Sequence, residues 1–371
     1  AEAMTALKDL MAGLGSPNID CRQDAAKLDA TTRAGYTFNT TIAGIEDAGA
    51  CLIIGSNPRL EAPIINARLR KRALAGGFKV GLVGEAADLT YRHDHLGAGP
   101  QTLKEIAHGT HPFCEILKSA ERPMLIVGQG ALSRADGAAV LAMARSIADA
   151  TGMVSGDWNG FNVLHSAAAR VAGLDLGLVP DSGGKDVSGI LDSAASGAIE
   201  VVYLLAADEI DVSKLANTFV IYQGHHGDAG AHIADVILPG AAYTEKEGTY
   251  ANTEGRVQRG RRATFPPGDA REDWSIIRAL SEVLGKTLPY NNLGQIRGRM
   301  AEIAPVLDSI DVVDAADWGN FGTAGTLDDT PFSAAVTNFY MTDPISRASE
   351  TMAACTETFV NAGTEKTGTD G

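Results

Sequence analysis

Cysteine is scarce in this chain: Cys21, Cys51, Cys114 and Cys355 are the only four in 371 residues. No two of them form the C-x-x-C pairs that iron-sulfur and zinc sites draw on, so neither a cluster nor a zinc site is expected. They are also too few for a disulfide framework, and reduced, buried thiols are the expectation. Long apolar runs are missing as well. No uncharged stretch approaches the roughly 18 residues that cross a bilayer, and Val201-Val202-Tyr203-Leu204-Leu205 has the length of a buried strand. Direct membrane insertion is therefore not expected. The opening Ala1-Glu2-Ala3-Met4 has neither the basic patch nor the apolar core of an export signal, which points to a cytosolic or matrix-like compartment. Positive charge is short too: 31 Lys and Arg stand against 46 Asp and Glu, a formal net charge of -15. That balance opposes attraction to phosphate backbones, and no nucleic acid partner is expected.

What the chain does contain is 45% hydrophobic and 21% charged residues, the composition of a packed protein long enough for two or three domains. Short apolar runs, turns rich in Gly, Ser or Pro, and longer amphipathic segments alternate, which is how parallel sheets with crossover helices are written. The class is α/β. Residues 50–54 predict a strand, Gly55-Ser56-Asn57-Pro58 a turn, residues 64–72 a helix, Gly76-Gly77 its end, and residues 78–83 the next strand. A second unit starts with a strand over 123–127, turns at Gly128-Gln129-Gly130 and enters a helix over 133–150 with Ser133 as its cap. Further strands are predicted over 201–205, 218–222 and 236–238, the last stopped by Pro239-Gly240. Helices are predicted over 272–284, with an apolar stripe from Trp274 to Val283, and over 295–304. The expected division is a first α/β domain over 1–120, a second over 121–289, and a less regular extension over 290–371 with a loose tail from residue 361.

Gly55-Ser56-Asn57-Pro58 stands where a strand's carboxyl end meets a helix, the position at which open α/β sheets bind ligands. The dinucleotide fingerprint G-x-G-x-x-G is not satisfied there, and Gly128-Gln129-Gly130 supplies only G-x-G, so a structural turn is the simpler reading. His225, His226, Asp228 and His232 crowd imidazole and carboxylate into eight residues. Their spacing fits no standard zinc or iron pattern, and the interleaved glycines favour a hydrogen-bonded loop. Tyr91-Arg92-His93-Asp94-His95 meets the same objection. The segment from Ala234 to Gln258 packs charged, amide and glycine residues into a connection between apolar strands, and Arg256, Arg259, Arg261 and Arg262 follow as a local basic cluster on an acidic chain. It reads equally as a recognition element or as a solvated loop.

That same segment, from Ala234-Asp235-Val236-Ile237-Leu238-Pro239 through Glu245-Lys246-Glu247-Gly248-Thr249-Tyr250-Ala251-Asn252-Thr253-Glu254-Gly255-Arg256-Val257-Gln258, resembles the hallmark of the molybdopterin oxidoreductase superfamily. Within the superfamily, Tyr222-Gln223-Gly224-His225-His226-Gly227-Asp228, Phe339 to Ser349, and Gly15 to Arg22 resemble the large iron-sulfur (75 kDa type) component of respiratory complex I, in alphaproteobacterial or mitochondrial form. The resemblance implies two Rossmann-like domains with mostly parallel sheets and a less regular tail. It implies that residues of the old pterin-nucleotide surface persist as vestiges: Gly55, Ser56, Asn57, Asp235, Glu247, Asn252, Arg256 and Gln258. No catalytic residue and no metal ligand follow from it; where molybdenum enzymes supply a ligand, Arg22-Gln23-Asp24 follows Asn18-Ile19-Asp20. The family's 2Fe-2S and 4Fe-4S clusters belong to cysteine-rich amino-terminal modules that this chain does not carry, so no cofactor is expected in it. The implied role is structural, inside an NADH:quinone oxidoreductase, with the other peripheral-arm subunits as partners. The implied place is peripheral, on the cytoplasmic face of a bacterial inner membrane or the matrix face of a mitochondrial one. An alternative is a fragment of a working molybdopterin-dependent oxidoreductase.

Overall fold

The computed structural model describes residues 1–361, and the loose tail expected at the carboxyl end falls, from residue 362, outside them. Ala50–Ile54 is the centre of a five-stranded sheet. Lys79–Val83 and then Asp94–Gly97 lie on one side of it, Pro123–Val127 and then Phe161–Val163 on the other, all parallel. Every residue of Ala50–Ile54 is buried. Cys51 and Ile53 face the helix Pro63–Leu74 through Ile65 and Leu69. Ala50, Leu52 and Ile54 face the opposite layer, which includes Leu103, Leu117 and Val140. Cover on both faces is why the strand reads as an unbroken apolar run instead of an alternating one.

Pro123–Val127 pairs residue for residue with Ala50–Ile54, so the sheet runs across residue 121, where a domain division was expected. Connections wind outward in both directions from these two central strands. The point where the strand order reverses lies between them.

A smaller lobe holds a three-stranded parallel sheet in the order Val236–Pro239, Phe219–Gly224, Val201–Leu205. The helix Val187–Ala195 packs on it through Leu191 and Ala194. The helix Glu2–Leu14 lies against Asp273–Val283 and Leu293–Ile303, joined by Leu7, Leu10, Ile277 and Ile296. Of the apolar stripe expected on the helix near 272–284, Ile277 is fully buried while Val283 is 85% exposed.

Two local expectations change. The helix foreseen over 133–150 is broken: Gln129–Leu132 forms one turn that ends at Ser133, and the long helix is Gly137–Ala150. Its break is held by Arg134 and Asp136, whose side chains pair at 2.8 Å, and Ser133 caps nothing at a helix start. Gly248–Ala251 and Val257–Gly260, foreseen as connection, form an antiparallel hairpin.

Between Asp308 and Asn338 the chain turns back over the larger lobe without helices or strands, and the short helices Pro344–Arg347 and Glu350–Thr356 follow. Trp318 and Phe321 pack edge-on and tilted against Phe161, with ring centroids 5.5 and 5.0 Å away. Phe332 is 1% exposed, and its backbone N–H donates to Ala98 O at 2.9 Å. Farther on, Arg347 clamps the carboxyl segment to the smaller lobe through Asp228 and Glu209, both at 2.5 Å. Among the described residues no helix is long and apolar enough to cross a membrane.

Candidate functional site

At the reversal point the turn Gly55-Ser56-Asn57 faces the turn Gly128-Gln129-Gly130. Gly55 has φ +59°, and a Cβ there would stand 2.5 Å from the Ala131 methyl, so only glycine fits. Three backbone N–H groups of these turns, those of Gly55, Gly128 and Gln129, are already engaged. Gly55 N–H donates to Val83 O at 2.8 Å and Gly128 N–H to Ile54 O at 2.9 Å. Gln129 N–H donates to the Glu61 carboxylate at 2.8 Å, and the Ser56 hydroxyl donates to its other oxygen at 2.6 Å. Burial pushes the Glu61 carboxyl above its ordinary range, and those two donors pull it back only in part. The Ser333 carbonyl covers Gly130 so closely that a Cβ on the glycine would lie 1.8 Å from it. Asn57 caps its own short helix, accepting from Arg59 N–H at 3.2 Å.

The residues of the hallmark segment are also spent locally. Asp235 accepts from Val220 N–H at 2.8 Å and returns a bond to Val220 O. Asn252 Oδ1 accepts from the N–H groups of Glu254 and Arg256, closing the hairpin loop. Arg256 donates to Glu254 at 3.0 Å and to Asp311 O at 2.7 Å. Glu254 in turn accepts Ile42 N–H at 2.8 Å, tying the hairpin to the larger lobe. Glu247 and Gln258 border a depression that Arg259, Arg261 and Arg297 also line. The eight expected residues thus occupy four separate places: the reversal point, the contact with Val220, the hairpin loop and that depression. A pterin dinucleotide does not fit the reversal point: its phosphates would compete with Glu61 for Gln129 N–H and with the chain segment at Ser333 for space.

His225 and His226 touch through their Nδ1 atoms at 2.7 Å, but Asp228 is taken by Arg347 and His232 is exposed. His93 and His95 each bond a backbone carbonyl, Tyr91 O and Gly84 O. Among the described residues no three His, Cys, Asp or Glu side chains are grouped to hold a metal. Cys51 and Cys114 are buried, and Cys21 and Cys355 are half-buried. Burial pushes the Cys21 thiol up to about 12.

Between the lobes lies a cavity of about 410 Å³, with mostly hydrocarbon walls. The composition of the chain gave no sign of it. Arg170 and Gln23 line it. Arg170 pairs with Asp24 at 2.8 Å and has no exposed side-chain surface. His165, nearby, donates to Tyr36 O through Nε2, and burial first, then the Arg170 charge, lowers its pKa to about 4. One signal was present: Arg170 is a lone charge in the run Ala167-Ala168-Ala169-Arg170-Val171-Ala172, where a helix packed into a core would otherwise carry none.

The family described as Molybdopterin oxidoreductase matches residues 1–283, and a second family, described as the C-terminal part of an NADH-ubiquinone oxidoreductase subunit, matches residues 308–355. The chain is 49% identical over 359 residues to the NADH dehydrogenase [ubiquinone] iron-sulfur protein 1, mitochondrial, of Solanum tuberosum, covering 96% of this chain and 47% of that protein. It is 41% identical to the NADH-ubiquinone oxidoreductase 75 kDa subunit of Reclinomonas americana, covering 96% and 54%, and 42% identical to an NADH-quinone oxidoreductase subunit of Rickettsia bellii, covering 96% and 51%. The chain thus spans about half the length of the curated relatives it matches. Among solved structures, acetylene hydratase from Pelobacter acetylenicus aligns with a TM-score of 0.45 at 13% identity, over 83% of this chain and 54% of that one.

Proposed function

We propose that this chain, which belongs to the molybdopterin oxidoreductase family, is a scaffold portion of the large iron-sulfur subunit of an NADH:quinone oxidoreductase. In this reading it supplies a rigid platform beside the electron path and performs no chemical step. The names of the relatives support the assignment to that subunit. The structural observation that carries the scaffold role is the Glu61 carboxylate: it holds Gln129 N–H and the Ser56 hydroxyl at the place where a nucleotide phosphate would bind. The hallmark residues keep their identities because they build the hairpin and its anchor to Ile42, a structural use that outlasts a lost ligand.

The 2Fe-2S and 4Fe-4S clusters belong, in this proposal, to the part of the subunit outside the chain. The partners are the rest of that subunit and other peripheral-arm subunits, on the cytoplasmic or matrix side of the membrane. Arg261 and Arg262 are exposed on the loop after the hairpin and offer a basic contact to an acidic neighbour. The test is elemental and nucleotide analysis of the purified chain after expression with ample molybdate. No stoichiometric molybdenum and no bound guanine nucleotide is the expected result. One molybdenum per chain would overturn the proposal in favour of an active molybdopterin oxidoreductase fragment.

A further inference from the structure

The helix Pro63–Leu74 turns Ile65 and Leu69 into the larger lobe, while Ile64, Ala67, Lys71 and Leu74 stand exposed on its other side. Spacings of three, four and three residues put these four on one face, along about 15 Å of helix. Ile64 is 73% and Leu74 66% exposed; among the described residues only Phe265 and Val283 are large apolar side chains left more open. Single exposed apolar residues are ordinary, but two on such a spacing form the seam along which one helix receives another.

Charge decides what kind of helix fits. Pro63–Leu74 holds Arg68, Arg70, Lys71 and Arg72 and no carboxylate, in a chain of net charge -15. Glu46 is the one acidic side chain paired with them, taking Lys71 at 2.7 Å and also Arg68. Its neighbour Asp47 pairs instead with Arg122, and Asp88 with Arg59. Arg70 donates to Thr90 O at 3.2 Å, and Arg72 to Ala48 O at 2.8 Å and Gly76 O at 2.7 Å, so neither meets a countercharge. Four cations thus share one carboxylate. A second copy of this helix would set Arg68 and Lys71 against their like. Two large apolar side chains are too few to hold an anionic lipid surface against the repulsion of an acidic chain. We propose that this face docks an amphipathic helix of another subunit, with apolar residues along its seam and Asp or Glu on its flanks. The proposal rests on the scaffold reading, which supplies the assembly in which that subunit is found.

The experiment places the photo-crosslinking residue p-benzoylphenylalanine at Ala67, mid-seam, in the full subunit within the assembled enzyme, and identifies the joined peptide by mass spectrometry. A bulky group at Ala67 can itself obstruct docking, so Ala75, exposed just past the end of the helix, is labelled in a parallel preparation. The expected product is a segment of another polypeptide with apolar residues three and four apart and more Asp and Glu than Lys and Arg. Adding Ile64→Ser and Leu74→Ser, surface changes that leave the fold intact, should lower its yield roughly tenfold, the worth of one buried aliphatic side chain. A joined segment of net positive charge, joining only to lipid or to the same subunit, no product from either position, or a yield unchanged by the two serines would each overturn the proposal. Failure of the scaffold reading shows separately, as stoichiometric molybdenum or as absence of the unaltered subunit from the assembled enzyme.

Discussion

Glu61 and Gln129, 68 residues apart, are joined by a hydrogen bond of 2.8 Å from the Gln129 N–H to the Glu61 carboxylate. The same carboxylate accepts the Ser56 hydroxyl, so a single side chain ties together the two turns that flank the reversal of strand order.

Replacing Glu61 separates hydrogen bonding from charge. Glu61→Ala orphans a buried N–H and is expected to cost about 1–3 kcal/mol in urea unfolding. Glu61→Gln keeps an acceptor for Gln129 and is expected to cost less than about 1 kcal/mol. The sign with pH follows from the raised carboxyl: the folded state holds the proton more tightly than the unfolded one, so this group's contribution falls as pH rises through the interval between the two values. Glu61→Gln cannot ionise. Its stability should therefore gain on the native chain as pH rises above the ordinary glutamate pKa of about 4.3; a constant difference over that rise would contradict the burial argument.

His165 offers a second pH test. Its pKa is depressed to about 4 by burial, so the folded state keeps it neutral where an unfolded histidine takes a proton. Stability from this group is present above the ordinary histidine pKa of about 6.5 and is lost as pH falls towards the folded value. A ¹³C-labelled histidine titration should show one ring resonance still unmoved at pH 5, absent in His165→Asn. Titration of all rings near 6.5 would place His165 in solvent.

Arg256 and Arg261 belong to one basic cluster in the sequence but part company in the fold. Arg256→Ala removes the partner of Glu254, which is 7% exposed, and should cost about 1–3 kcal/mol. Arg261→Ala is a surface change and should stay within about 0.5 kcal/mol. Thermal unfolding distinguishes them. In assembly assays on native gels, charge reversal at Arg261 and Arg262 is the cleaner probe of docking, and unimpaired assembly would remove that patch as a contact.

The segment covering the reversal point should be separable from the sheet beneath it. Phe332→Ala deletes a ring that is 1% exposed and should cost about 3–5 kcal/mol. Gly130→Ala drives a methyl into Ser333 O and should displace the segment. Limited proteolysis between residues 312 and 338 reads the displacement; equal resistance in Gly130→Ala and the native chain would mean the contact is soft.

Local chemistry written in the sequence determined the α/β class, the strands at 50–54, 123–127 and 201–205, and the helices near 64–72 and 272–284, because apolar periodicity and Gly or Pro punctuation act over a few residues. The hallmark from Ala234 to Gln258 likewise marked the family. Only the tertiary structure decided that Pro123–Val127 joins Ala50–Ile54 across residue 121, since strand pairing depends on contacts between distant segments. The same holds for the hairpin at 248–260, whose closure rests on Asn252, Glu254 and Arg256 meeting one another and Ile42. It holds most of all for Glu61 and Arg170. Whether a carboxylate or a guanidinium is a solvated surface group, a seal or half of a buried ion pair is set by what the folded chain brings against it, and no window of neighbouring residues contains that information.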